Sequence, residues 1–175
     1  MAHVMIARPA QSEYNQHYHG YVTAVPDGDL LEMLEKQIKE TSKLLKSVDE
    51  KKSKFRYAPD KWSVREVIGH LSDSERVFAY RAVRFARGDA TPLPSFDENA
   101  WAKASNADAR PLADLSAELA AVRAGTLALF RGFTDKEFAR SGNASGNPIT
   151  VRALAYIICG HERHHVRILR ERYGI

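Results

Sequence analysis

The stretch TVRALAYIICGHERHHVRILRERY, residues 150–173, decides the fold. Val151, Leu154, Ile158, Ile168 and Leu169 recur at helical spacing, which predicts one long helix with an inward apolar face. Thr150 is a capping residue at its start and Gly174 a stop signal at its end. Extending the stripe past Ile158 lands on His161 and His165 before it reaches Ile168. Two imidazoles one turn apart therefore stand where a bundle helix expects Leu or Ile. Burying both rings without partners would cost several kcal/mol, a conflict the rest of the chain has to resolve.

Working outward, three more segments carry the same periodicity. Residues 111–132 place Leu112, Leu115, Leu119, Val122, Leu127 and Phe130 on one face, with Pro111 suited to the first turn. Residues 63–87 do so with Val64, Val67, Ile68, Leu71, Phe78, Ala82 and Phe85. Ser63 and Glu66 there form a capping box, and Gly88 is a stop. Residues 29–48 carry Leu30, Leu31, Leu34, Ile38, Leu44, Leu45 and Val48, with Asp27 or Asp29 as cap. No stretch shows strand alternation, so the expected class is all-α, a four-helix bundle.

Connection lengths then set topology. Neighbouring antiparallel helices need only about two to eight linking residues. The link GDATPLPSFDENAWAKASNADAR, residues 88–110, is far longer, with Pro92, Pro94 and a short helix expected at 96–104. It is expected to cross the bundle and leave its second and third helices parallel, while the other links reverse direction. The result is up-down-down-up, with the second and fourth helices antiparallel.

That topology brings a third histidine into play. His70 lies about 10 Å into the second helix, and His165 about 12 Å before the end of the fourth, at about 1.5 Å per residue. In antiparallel helices the three rings share one level. One divalent metal ion on His70, His161 and His165 removes the burial conflict, because neutral imidazoles are good ligands for first-row ions. Zinc or nickel is expected ahead of iron or manganese. Three protein ligands leave positions open for water, a substrate, or a substrate thiolate, which is the catalytic pattern.

Asp73, Glu75 and Glu162 are candidates to orient an imidazole or act as general base, against a competing reading as surface salt bridges. His164 points about 100° away from the pair and is assigned to the rim. His17 and His19, in NQHYHG, are weighed as a second metal motif against an incidental polar segment, and the latter is preferred. Asp97, Glu98 and Trp101 on the long link are placed at the site mouth.

The chain of 175 residues is expected to form one domain, 1–175, with residues 1–28 as an N-terminal extension. Within that extension Tyr14, Tyr18 and Tyr21 fall at helical spacing, which suits packing onto the bundle rather than ligand binding. Apolar residues are 44% and charged residues 27%, which excludes disorder and a disulfide-built fold. The lone Cys159 reads as a buried, inert thiol. The net charge of +4 comes from scattered arginines without a basic stripe, so no nucleic acid is expected. No run approaches the roughly 20 apolar residues of a membrane span. The first residues lack the apolar core of a secretory signal, so a cytoplasmic location is expected.

Two motifs, KWSVREVIGHLSDSE at residues 61–75 and GHERHHVRIL at residues 160–169, resemble the DinB/YfiT-like superfamily (DinB superfamily) of candidate metalloenzymes. RYAPDKWS at residues 56–63 adds to the likeness, which covers residues 30–173. The resemblance implies a four-helix bundle of up-down-down-up topology, and metal ligation by His70, His161 and His165. It also implies a range of chemistries on small molecules, among them metal-dependent hydrolysis and thiol S-transfer with a low-molecular-weight thiol, and homodimers. A non-catalytic binding or stress-response module, its metal structural or absent, is the competing reading.

Overall fold

The computed structural model describes residues 5–175; residues 1–4, where the N-terminal extension begins, lie outside the described residues. In chain order the helices are α1 (His19–Thr23), α2 (Leu30–Lys46), α3 (Glu50–Ser53), α4 (Val64–Ala86), α5 (Glu98–Ala104), α6 (Leu112–Arg131), α7 (Asp135–Phe138) and α8 (Val151–Tyr173). Strands β1 (Ser141–Ala144) and β2 (Asn147–Thr150) lie between α7 and α8. The caps are those the sequence shows. Asp29 accepts from the amides of Leu31 and Glu32, Ser63 and Glu66 close a capping box, and Thr150 accepts from Ala153. Gly174 ends α8 in the left-handed region, at φ 66°.

Helices α2, α4, α6 and α8 form a four-helix bundle in which up-down-down-up order can be followed from side chain to side chain. Tyr173, at the end of α8, donates to the carbonyl of Trp62 just before α4, so those two helices run antiparallel. Ser63 meets Asp108 ahead of α6, and Glu75 meets Arg123 midway along it, so α4 and α6 run parallel. Glu35 in α2 pairs with Arg131 at the far end of α6, which makes that pair antiparallel. The long link between α4 and α6 crosses the bundle carrying α5, as its length requires.

One expectation fails. Residues 141–150 form a β-hairpin with Gly142 opposite Ile149 and Ala144 opposite Asn147. Ser145 and Gly146 turn it with φ of 55° and 79°, the double positive pair of a type I′ turn. The strands are four residues each and contain glycine, asparagine and proline, so no alternation betrays them. The hairpin anchors the crossing link: Leu93 donates to Asn143, and Ser145 donates back to Leu93.

The apolar core comes in two parts. One holds Leu30, Leu34, Phe78, Phe85, Phe130 and the first half of α8; the other holds Val64, Ile68, Leu71, Leu115, Leu119 and Leu169. Between them runs a buried polar layer that includes Gln37, Thr41, His70, Glu75, Arg123, His161 and Glu162. The N-terminal segment lies along α8, pinned to it by a Glu13–Arg152 pair and closed on itself by Arg8 donating to the carbonyls of Val22 and Val25. Among the described residues no helix is long and apolar enough to cross a membrane.

Candidate metal centre

His70 projects from α4, and His161 and His165 project from successive turns of α8, into the polar layer. The Nε2 atoms of His70 and His161 are 3.0 Å apart, and those of His165 and His161 3.1 Å. All three rings offer a ligand atom within 4.8 Å of the others, the only group of three or more histidine, cysteine or acidic side chains so arranged among the described residues. His70 and His161 are 4% and 6% exposed; His165 is partly open. Burial pushes the His70 ring down to about 4, and burial together with the neighbouring histidines holds His161 and His165 well below the usual imidazole range. At neutral pH the rings are uncharged, the form that donates a lone pair.

Three neutral rings facing one another cannot satisfy themselves. Each carries one N–H and one lone pair, so His161 Nε2 cannot serve both neighbours well whichever tautomer it takes. Ligand atoms around a tetrahedral ion at about 2.0–2.1 Å lie about 3.3 Å from each other, close to the spacing found here. The donor set thus fits a divalent ion. Ser74 Oγ lies 3.4 Å from His70 Nδ1 and helps to turn the ring's other nitrogen inward. Trp62 lies across His70 with ring centroids 4.6 Å apart and stacks beside His165, while Tyr21 and Phe78 meet His161 edge-on. These aromatics surround the imidazoles with apolar surface.

His161 also lines a cavity of about 300 Å³, walled by Tyr18, Tyr21 and Phe78, with Ser74, Arg81 and Ser145 on its surface. Asp97 and Glu98 border this cavity, as does His17. Trp101 does not; it is exposed and packs on Phe96 instead. His164 is a rim residue against Tyr21, His19 meets the hydroxyl of Tyr14 at 3.3 Å, and among the described residues His17 and His19 share no third ligand. Tyr21 therefore both packs on the bundle and walls the site. Its segment is held by Gly160 in α8, where an added Cβ would lie 2.0 Å from the Tyr21 carbonyl oxygen.

The three acidic candidates lie elsewhere. Glu75 and Glu162 are 4% and 2% exposed, so neither is a surface salt bridge. Both turn to Arg123, which is 1% exposed. Arg123 makes two 2.8 Å bonds to the carboxylate of Glu75, one of 2.7 Å to Glu162, and one to the Leu34 carbonyl. Gln37 and Thr41 donate to the remaining sites on Glu162, each at 2.6 Å. Burial works against the Arg123 charge, and the fields of Glu162 and Glu75 more than reverse it, holding the guanidinium above its ordinary pKa. Asp73 is half-buried beside Arg76 and Glu118, away from the cavity lining, and its carboxyl is raised chiefly by burial. Sequence reasoning passed over Arg123 and Arg81. A signal existed, since Arg123 falls between Leu119 and Leu127 on the α6 stripe, and Arg81 beside Phe78, Ala82 and Phe85 on that of α4.

A family model described as the DinB superfamily matches residues 33–169, well over half of the chain. A Geobacillus kaustophilus (strain HTA426) protein named as a candidate metal-dependent hydrolase is 29% identical over 125 residues, 67% of this chain and 69% of its own length. YfiT of Bacillus subtilis (strain 168), named in the same way, is 26% identical over 118 residues, 66% of each chain. The chain thus spans about two thirds of the length of these relatives. The solved structure of YfiT, described as an unusual four-helix bundle, matches with a TM-score of 0.75 at 20% identity, over 96% of this chain and 94% of that one.

Proposed function

Because this chain belongs to the DinB superfamily, we propose that it is a metal-dependent hydrolase of a small-molecule substrate, with His70, His161 and His165 holding one divalent ion, zinc or nickel first. The observation that carries this reading is the meeting of three uncharged imidazoles, one of which, His161, lines a cavity large enough for a small molecule. Relatives named as candidate metal-dependent hydrolases support it. A divalent ion held by three protein ligands supplies Lewis acidity and a water activated near neutral pH.

The chain's own residues do the remaining work. Ser74 fixes the His70 ring, and Trp62, Tyr21 and Phe78 keep bulk water from the imidazoles. Glu75 and Glu162 are positioning residues in this scheme: through Arg123 they tie α4, α6 and α8 at the level where the histidines meet. Asp73 has no part in it.

Elemental analysis of protein purified without a histidine tag tests the proposal, with His161→Ala alongside. The wild type should carry about one divalent ion per chain and the variant almost none. A panel of ester, amide and thiol-acceptor substrates then separates hydrolysis from S-transfer, and turnover of the thiol acceptors alone would replace the hydrolase reading. Equal metal content in both proteins would end the metal reading itself.

A further inference from the structure

Three arginines of this molecule are almost fully buried: Arg65 and Arg81 at 3% exposure and Arg123 at 1%. Arg65 pairs with Glu50, and Arg123 with Glu75 and Glu162. Arg81 differs. Its Nη2 donates to the Pro94 carbonyl at 2.7 Å and to Ser145 Oγ at 3.1 Å, both neutral acceptors, and among the described residues no carboxylate pairs with it. Asp97 and Glu98 line the same cavity as Arg81 without pairing with it, and a buried guanidinium with no directly bonded counter-charge is costly, by several kcal/mol as an order of magnitude. The cost is understandable if the missing anion arrives with a ligand.

The remaining donors show where it would bind. Nε and Nη1 of Arg81 have no hydrogen bond to a described residue, yet among the described residues no buried side-chain nitrogen or oxygen is left unpartnered. Those N–H groups must therefore reach open space, and the space Arg81 borders is the cavity that His161 borders too. Arg81 and His161 thus face one cavity of about 300 Å³. One small molecule can touch both.

We propose that Arg81 is the anion-binding residue of this cavity and that the substrate carries a carboxylate a short distance from the group that is hydrolysed. This rests on the three-histidine reading for the reaction, though not for the binding. A planar carboxylate matches the paired N–H groups of a guanidinium. A phosphate would match them too, but Asp97 and Glu98 border the same cavity, and their charge opposes a dianion more than a monoanion.

Titration with benzoate, benzyl alcohol and phenyl phosphate tests the assignment, on zinc-loaded protein and again after chelation, with the Arg81 Nε–H resonance as readout. Benzoate should shift that resonance and saturate in both states, benzyl alcohol should do neither, and phenyl phosphate should bind more weakly than benzoate. By calorimetric titration, Arg81→Gln should weaken benzoate about tenfold or more, the scale of a lost charged hydrogen bond, while Arg81→Lys, which keeps the charge and loses the paired N–H groups, should retain only part of the affinity. Benzoate bound no better than benzyl alcohol would overturn the proposal, as would unchanged affinity in a folded Arg81→Gln protein. Tighter phenyl phosphate would overturn the choice of carboxylate. Because the chelated protein reports Arg81 alone, failure there is separate from failure to hold zinc.

Discussion

The polar layer that divides the core has two halves, and they solve burial in opposite ways. Around Arg123, two carboxylates, one guanidinium, an amide and a hydroxyl satisfy one another, and the cluster is complete with a net charge of −1 (one cation against two anions). Around His161, three uncharged rings turn the same kind of atom toward one point, and no arrangement of protons completes them. Both halves hang from α4 and α8, with Glu75 five residues after His70 and Glu162 next to His161. The closed half ties the helices together; the half left incomplete is the one whose donor set fits an ion. A buried polar group points to function when its neighbours fail to satisfy it, rather than by being polar and buried.

The comparison breaks most visibly at Arg123. Arg123→Met strands two buried carboxylates and should lower unfolding free energy by about 3–5 kcal/mol, as read by urea denaturation. A loss below about 1 kcal/mol would mean that the cluster is not what ties the helices together.

Acid strikes the other half. The His70 ring is lowered to about 4 from 6.5, so between those values the unfolded chain binds a proton that the folded chain refuses. Stability therefore rises with pH across this window, and acidifying metal-free protein from pH 6.5 to 4 should remove ~3 kcal/mol through His70 alone. Denaturant midpoints that stay flat over this range would contradict the burial of the ring.

A smaller effect is expected at Gly160. Its alanine variant drives a methyl group into the Tyr21 carbonyl, and separating the two segments should cost about 1–3 kcal/mol. Near-ultraviolet circular dichroism should report the disturbed tyrosines.

Least of all should be felt at His161→Leu in metal-free protein. An apolar side chain suits that stripe position, so stability should change by less than about 1 kcal/mol, in contrast to Arg123→Met. A collapse of the fold in His161→Leu would make the imidazoles as structural as the ion pairs.

Much of this was legible in the sequence, because a bundle helix declares its inward face. Leu154, Ile158 and Ile168 show that His161 and His165 face inward, and the length of residues 88–110 shows which helices run parallel, so that His70 can be brought to the same level. Arg123 and Arg81 interrupt apolar stripes just as plainly, but whether a buried arginine is paired depends on partners on other helices, which periodicity does not reveal. Glu75 and Glu162 were singled out for the right helices, while their attachment to Arg123 depends on α6 packing beside α4. The hairpin went unseen because four-residue strands containing Gly142 and Pro148 are held by their turn and by Leu93, not by their own alternation.

The close approach of Tyr21 to Gly160 has a consequence for how the molecule could be re-engineered. The imidazoles lie wholly within residues 33–169, but two aromatic faces of the cavity come from a segment ahead of that span. Part of the cavity wall and all three imidazoles are thus encoded in separable parts of the gene. Grafting a different leader peptide over α8, provided it keeps its backbone low where it crosses the glycine, would recut the chamber without moving a single donor nitrogen.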